Sequence, residues 1–295
     1  MSTTTEKVFL DHTQPELDQA YDQMAWAKNG KELHTRNEQR SAEVRTRHQC
    51  IVESYGPTED ETLEIVQAGR SGAPVVLYIH GGRWMAQPGD PFIYFAETVV
   101  GKGAHFVGAR FGTLSATPGE FRLPHMVGQL RRAVVWLYRN AVTFGGDPQQ
   151  IHLVGHSSGA HLASVLLTTD WRQLGLPASV FKSGTCISGM YDLRPVLLSA
   201  RSDYVKLNAE EEDELSAMRH LDRVHCPILV NYGDRESPEF QRHALSFSAA
   251  LEETGHSQTL LPLRDSNHFE GVASLYDAES PLAKAMLKHM GLAAA

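Results

Sequence analysis

The chain of 295 residues is 42% apolar and has no Pro/Gly/Ser-rich linker, repeat or low-complexity tract, so a single large core is expected rather than two small ones. Its 27 basic against 35 acidic residues leave a formal charge of -8 with no basic cluster, which argues against nucleic acid as a partner. The first residues, M-S-T-T-T-E-K-V-F-L-D-H, lack a basic start with an apolar core, and no run approaches bilayer-spanning length; a cytoplasmic protein with no membrane partner is expected.

Residues 1–50 are polar and read as helix, with Leu17, Tyr21, Met24 and Trp26 apolar and a charged stretch from Lys28 to Arg47. Strands follow at 49–54, 62–67 and 75–79, then a helix near 92–101 and a strand at 104–109. An amphipathic helix carries Met126, Val127, Leu130, Val134 and Leu137 on one face, ahead of a buried strand with Ile151, Leu153 and Val154. Leu162, Ala163, Val165 and Leu166 read as a packed helix, and further strands begin near Thr185, Pro227 and Gln258 with helices between them. Strands alternating with helices specify a mostly parallel sheet covered on both faces, with its site at the carboxyl ends of the strands.

Two motifs sit at such strand ends. The stretch I-H-L-V-G-H-S-S-G-A-H-L-A-S-V-L-L at 151–167 is a G-x-S-x-G nucleophile elbow. Gly155 and Gly159 are glycines because side chains would collide where strand and helix nearly touch, and Ser157 is the nucleophile. The helix that follows points unpaired N–H groups toward a developing oxyanion, with the Ser158 amide best placed to donate. Upstream, V-V-L-Y-I-H-G-G-R-W at 75–84 is an apolar strand ending in an HGG-type oxyanion loop, where the amides of Gly81 and Gly82 pair with that of Ser158. His80 reads as structural, ordering the loop by hydrogen bonding, while Trp84 either lines a pocket or packs the loop. Together the motifs indicate an α/β-hydrolase fold: a mostly parallel, eight-stranded-type sheet with helices on both faces, an N-terminal helical segment and a small cap.

A serine hydroxyl needs a histidine base and an orienting acid, in the chain order Ser, Asp or Glu, His. Of fifteen histidines, His268 lies in the turn R-D-S-N-H-F-E after the late strand containing Thr259, Leu260, Leu261 and Leu263. The strand P-I-L-V-N-Y-G at 227–233 is followed by D-R-E-S-P-E-F, which offers Asp234 and Glu236. Ser237 as N-cap and Pro238 at the first helical position mark a helix start, with Phe240, Ala244, Phe247 and Leu251 on its buried face. Glu236 directly precedes that helix, where such hydrolases hold their acid; Asp234 is the alternative.

The histidines carry no metal pattern: there is no H-E-x-x-H or C-x-x-C, and no P-loop or dinucleotide fingerprint is present, so no metal and no cofactor are expected. Cys50, Cys186 and Cys226 read as buried thiols. Residues 190–225 are irregular and rich in acids at 210–214, expected as a solvated helix face within a cap that shapes the acyl or leaving-group pocket. The expected organisation is residues 1–48 packing over the site and residues 49–295 forming one hydrolase domain. Candidates for substrate contact are Arg83, Trp84, Tyr21, His156 and Tyr191, with Met24 and Trp26 also available from the N-terminal segment; simple packing explains the aromatic ones equally well.

The blocks H-G-G-R-W, G-H-S-S-G-A-H-L-A, S-G-M-Y-D-L-R-P, E-S-P-E-F and N-H-F-E, from about Tyr21 to the last helix, resemble the kynurenine formamidase (arylformamidase) group, neighbours of the hormone-sensitive-lipase-like esterases. The resemblance implies Ser157 as nucleophile, His268 as base, and as acid the residue directly before S-P-E-F, which is Glu236 where an aspartate is expected. Arg83 departs from the family's H-G-G-Y-W and places a cation beside the oxyanion loop. The implied activity is removal of a small acyl group, formyl or acetyl, from an aryl amide or ester, with a short-chain carboxylesterase as the alternative and a homodimer plausible by likeness. A non-catalytic ligand-binding protein of the same fold is the reading from a different class; the presence of serine, histidine and acid together argues against it.

Overall fold

In the computed structural model of the protein, residues 6–85, 93–114 and 121–292 are described. Eight strands form one sheet: β1 (Ile51–Ser54), β2 (Thr62–Val66), β3 (Ala73–Ile79), β4 (His105–Ala109), β5 (Gly146–His156), β6 (Phe181–Ile187), β7 (Ile228–Gly233) and β8 (Gln258–Leu263). Their order across the sheet is β8-β7-β6-β5-β3-β4-β2-β1. Pairs from β8 to β4 are parallel, while β4–β2 and β2–β1 are antiparallel.

Alternation within the strands decides what covers the sheet. Val75, Leu77 and Ile79 of β3 enter one apolar cluster, and Val76 and Tyr78 enter a second. Successive side chains of a strand point to opposite faces, so both faces of the sheet are buried. The first cluster takes its helices from α3 (Leu123–Asn140), α4 (Ser158–Leu167) and α5 (Pro238–Glu253). The second takes Val44 of α2 (Gly30–Arg47) and Leu282, Ala283 and Met286 of α6 (Pro281–His289). Fully burying a Val, Leu or Ile side chain stabilises by about 1.5–3 kcal/mol, which makes this double layer the main source of stability.

The N-terminal segment is not wholly helical as expected. A short antiparallel hairpin, Lys7–Phe9 with His12–Thr13, precedes α1 (Gln14–Tyr21) and α2. The chain reverses at Leu10, whose φ is 47°, and α1 starts where the Thr13 N–H donates to Glu16 Oε2 at 2.8 Å. α2 buries Leu33, Asn37, Ser41 and Val44 along one stripe and turns its charges outward. Arg45 clamps it to β2 through a two-pronged contact with Glu64, at 2.7 and 2.9 Å.

The helix expected near 92–101 covers Ala96–Val100; residue 92 lies outside the described residues. In the 190–225 segment the acidic run forms a short helix, Ala209–Glu214, but it is not merely a solvated face. Glu211 pairs with Arg122, Glu214 with Arg131 at 3.1 Å and Arg223 at 3.1 Å, and Glu212 with Arg219 at 2.7 Å. Arg131 belongs to α3 and Arg122 immediately precedes it, so the run clips this segment against that helix. Among the described residues, no helix is long and apolar enough to cross a membrane, and no group of three or more His, Cys, Asp or Glu is arranged to hold a metal ion.

Candidate active site

β5 ends at His156 and α4 begins at Ser158, leaving Ser157 at the joint with φ 56° and ψ −122°. A non-glycine residue held there costs on the order of 1–3 kcal/mol, and the surrounding backbone holds it. The Ser157 N–H donates to the Ile187 carbonyl of β6 at 2.8 Å, and the Ser157 carbonyl accepts from Ala160 and His161. A Cβ on Gly159 would lie 2.2 Å from the Ile79 carbonyl oxygen, and one on Gly155 would lie 2.3 Å from that of Gly159. The two glycines therefore permit helix, elbow and neighbouring strand to touch backbone to backbone.

Ser157, Glu236 and His268 follow the carboxyl ends of β5, β7 and β8, and the structure brings them into one hydrogen-bonded line. His268 Nε2 lies 2.8 Å from Ser157 Oγ, and His268 Nδ1 lies 2.7 Å from Glu236 Oε2. The second carboxylate oxygen accepts from Ser188 Oγ at 2.6 Å and from the Gly233 N–H at 2.7 Å. All three side chains are buried, each 5% exposed or less. Asp234 is exposed, and its neighbourhood is held by backbone contacts such as its N–H to the Leu263 carbonyl at 3.0 Å. A carboxylate only accepts, so Nδ1 carries a proton and Nε2 faces the serine as an acceptor. Such a line can take the hydroxyl proton while the carboxylate stabilises the resulting imidazolium.

The loop after β3 lies against the elbow. A Cβ on Gly81 would meet the His156 carbonyl oxygen at 2.9 Å and Ser157 Cβ at 3.0 Å, so only glycine allows this approach. Gly82 has φ 130°, Arg83 58° and Trp84 61°. The Trp84 N–H donates to Ser158 Oγ at 3.2 Å and its indole N–H to His161 Nδ1 at 3.2 Å, tying the loop to α4. His80 stacks on Phe111, with ring centroids 4.8 Å apart. Ser158 is the first residue of α4, where helix geometry supplies no intrahelical acceptor for the N–H.

A cavity of about 570 Å³ opens on Ser157 and His268, with Gly81, Gly82 and His156 in its wall. α2 supplies Lys31, His34 and Asn37 to the cavity wall, and Arg201 enters from the 190–225 segment. Of the expected substrate contacts, Arg83, His156 and Met24 line this cavity, whereas Tyr21, Trp84, Tyr191 and Trp26 do not. Tyr21 is buried, with its hydroxyl 2.8 Å from His243 Nε2, and Tyr191 stacks on Phe247 at 4.0 Å. Trp84 packs the loop, and the Trp26 indole N–H donates to the Gln19 carbonyl at 3.0 Å. Tyr21, Trp84 and Tyr191 sit near the motifs because they build the core beneath them, whereas Trp26 is exposed. Arg201 escapes a reading of the sequence because its segment has no periodicity and no motif. A hollow of similar size, about 580 Å³ beside Arg131, Arg132 and Arg139, contains none of these groups.

Three buried histidines, at the site and along β5, are held in the neutral form. Burial, then the nearby His268, lowers the pKa of His156 to about 3; burial lowers those of His161 and His152 to about 4. The tautomers follow from the partners: His156 Nε2 donates to the His268 carbonyl at 3.0 Å, and His161 Nε2 to the Leu215 carbonyl at 2.9 Å. Below about pH 6.5 the unfolded chain takes up protons that the folded chain refuses, so stability is full above that value and falls toward pH 4. Thermal melts followed by circular dichroism should show the midpoint dropping as pH is lowered from about 7 to about 4.5, with several kcal/mol lost. A flat midpoint across that window would contradict neutral burial.

The comparisons with known proteins agree with this fold. The family model BD-FAE matches residues 63–183. Solved structures similar to this chain include a provisionally assigned thioesterase from Silicibacter sp. tm1040, with TM-score 0.79 and 23% identity over 92% of this chain and 98% of that one. Another is the thermostable carboxylesterase EstE1, with TM-score 0.69 and 15% identity over 91% and 97%. Both carry the α/β-hydrolase fold likeness. The kynurenine formamidase of Danio rerio is 32% identical over 244 residues, and that of Salmo salar 31% over 245, each covering 80% of both chains. The chain is a hydrolase of the arylformamidase and esterase type, acting on ester or amide bonds of small molecules, and it belongs to the kynurenine formamidase family.

Proposed function

We propose that the chain removes a formyl group from an aryl formamide, N-formylkynurenine being the first substrate to try, through an acyl-enzyme on Ser157. The observation that carries this reading is the buried line from Ser157 through His268 to Glu236, opening on the cavity beside Gly81 and Gly82. Ser157 Oγ bonds to the formyl carbon while its proton passes to His268 Nε2, and the oxyanion is held by the N–H groups of Gly81, Gly82 and Ser158. Collapse breaks the C–N bond, and the departing arylamine takes the proton from His268. Water then attacks the formyl ester with His268 again as base, releasing formate and restoring the serine. Glu236 orients the imidazole throughout. Residues 1–48 pack over the site in this reading, supported by the α2 side chains in the cavity wall, and the 190–225 segment acts as the cap, supported by Arg201.

The test is turnover of N-formylkynurenine beside a short p-nitrophenyl ester. A strong preference for the formamide supports the reading. Ester turnover with little formamide activity would make this a short-chain carboxylesterase that shares the family's fold.

A further inference from the structure

Arg201 sits in the turn Ala200–Asp203 and lines the same cavity as Ser157 and His268. It is 4% exposed and, among the described residues, the one arginine that is buried. Three half-buried arginines carry a carboxylate: Arg45 with Glu64 at 2.7 Å, Arg242 with Glu239 at 2.8 Å, and Arg131 with Glu214 at 3.1 Å. Arg201 forms no ion pair among the described residues. Its Nη2 donates to the Tyr21 carbonyl at 2.7 Å, Nη1 meets only Met190 Sδ at 3.4 Å, and the buried Nε–H has no partner.

The rest of its surroundings are aromatic, with the rings of Tyr21, Trp84 and Phe240 at 5.4, 5.7 and 5.9 Å from Cζ. Ring faces attract a cation but do not neutralise it. Burial lowers the Arg201 pKa and the charge of Arg83 adds to this, while Tyr204, Tyr21 and the carboxylate of Asp22 act the other way; Arg83 and Arg201 line the same cavity. An arginine stays charged under such pressure, so the fold carries a buried charge with no carboxylate in contact with it among the described residues, which is ordinarily costly. A charge retained at that cost in the wall of a reaction cavity fits a ligand that supplies the missing anion.

We infer that Arg201, with Arg83 at the rim, is the specificity-determining residue that anchors the substrate's carboxylate. This rests on the hydrolase reading above. A monoanion is the better match than a doubly charged phosphate, because Asp22 and Glu38 lie in the same cavity wall. Asp22 is itself exposed, with Oδ1 accepting from the Met24 N–H at 3.2 Å, and Glu38 faces His34 at 3.6 Å.

The experiment compares N-formylkynurenine with its carboxamide, which differs only in the charge of that group, in wild type, Arg201→Met and Arg201→Lys. The wild-type protein should favour the carboxylate in kcat/KM, and Arg201→Met should reduce that preference by about 10- to 100-fold, chiefly through KM, as removal of a charged hydrogen-bonding partner does. An equal fall for both substrates, leaving the preference intact, would show a structural arginine and overturn the inference. If Arg201→Met does not fold, Arg201→Lys decides: an intermediate fall in preference supports the anchor and an unchanged preference overturns it. Calorimetric binding of the same two compounds to Ser157→Ala, with and without Arg201→Met, separates the two readings. Carboxylate preference that depends on Arg201, in a protein whose wild type hydrolyses neither compound, keeps the anchor and removes the formamidase reading. No carboxylate preference in binding removes the anchor whatever the turnover.

Discussion

Replacing Ser157 with alanine should lower kcat by about five to six powers of ten while leaving the fold intact. The hydroxyl is the atom that would bond to the acyl carbon, and the remaining oxyanion donors and binding groups supply only residual acceleration. The backbone strain at φ 56° is borne by serine and alanine alike, and the hydrogen bonds that hold the elbow come from the Ser157 main chain. Alanine gives up one side-chain hydrogen bond, the 2.8 Å bond to His268 Nε2. Initial rates with the best substrate, together with a thermal melt, make the check. Activity above about one per cent of wild type, with the melt unchanged, would exclude the acyl-enzyme on Ser157.

Glu236→Gln should reduce kcat by about three to four powers of ten, and Asp234→Asn by less than about twofold. Glu236 Oε1 accepts from both Ser188 Oγ and the Gly233 N–H, so the oxygen of a glutamine would be kept in that place. Its amide nitrogen would then face His268 Nδ1 as a donor. The imidazole would have to move its proton to Nε2, which removes the acceptor that the Ser157 hydroxyl needs. Asp234 has no such hold on the ring, being exposed two residues earlier. Steady-state kinetics of both variants decide it: a crippled Asp234→Asn beside an active Glu236→Gln would exchange the assignments.

Much of this is legible in the sequence because it depends on local rules. Glycines at 155 and 159 mark a place where backbones touch, and the backbone atoms that a Cβ would meet there at 2.3 and 2.2 Å are the physical content of that pattern. Apolar alternation locates the strands to within a few residues, and Ser237 followed by Pro238 marks the start of α5, which puts Glu236 at its mouth. The hairpin at Lys7–Phe9 gives no signal because three residues are too few to show a period. The acidic run at 210–214 reads as solvated because its partners, Arg122 and Arg131, lie 89 and 83 positions away along the chain.

What the sequence by itself determined is the order of elements, the strand ends, and which serine and histidine stand at them, with the acid narrowed to Glu236 or Asp234, because periodicity, caps and tight turns are short-range properties written in neighbouring residues. Only the tertiary structure decided which side chains face the cavity. Tyr21, Trp84 and Tyr191 stand close to the motifs yet turn into the core, while Arg201, from a segment without pattern, reaches the cavity wall. Burial of a charge without a counter-ion arises where distant segments of the chain meet, and no local pattern of residues encodes it.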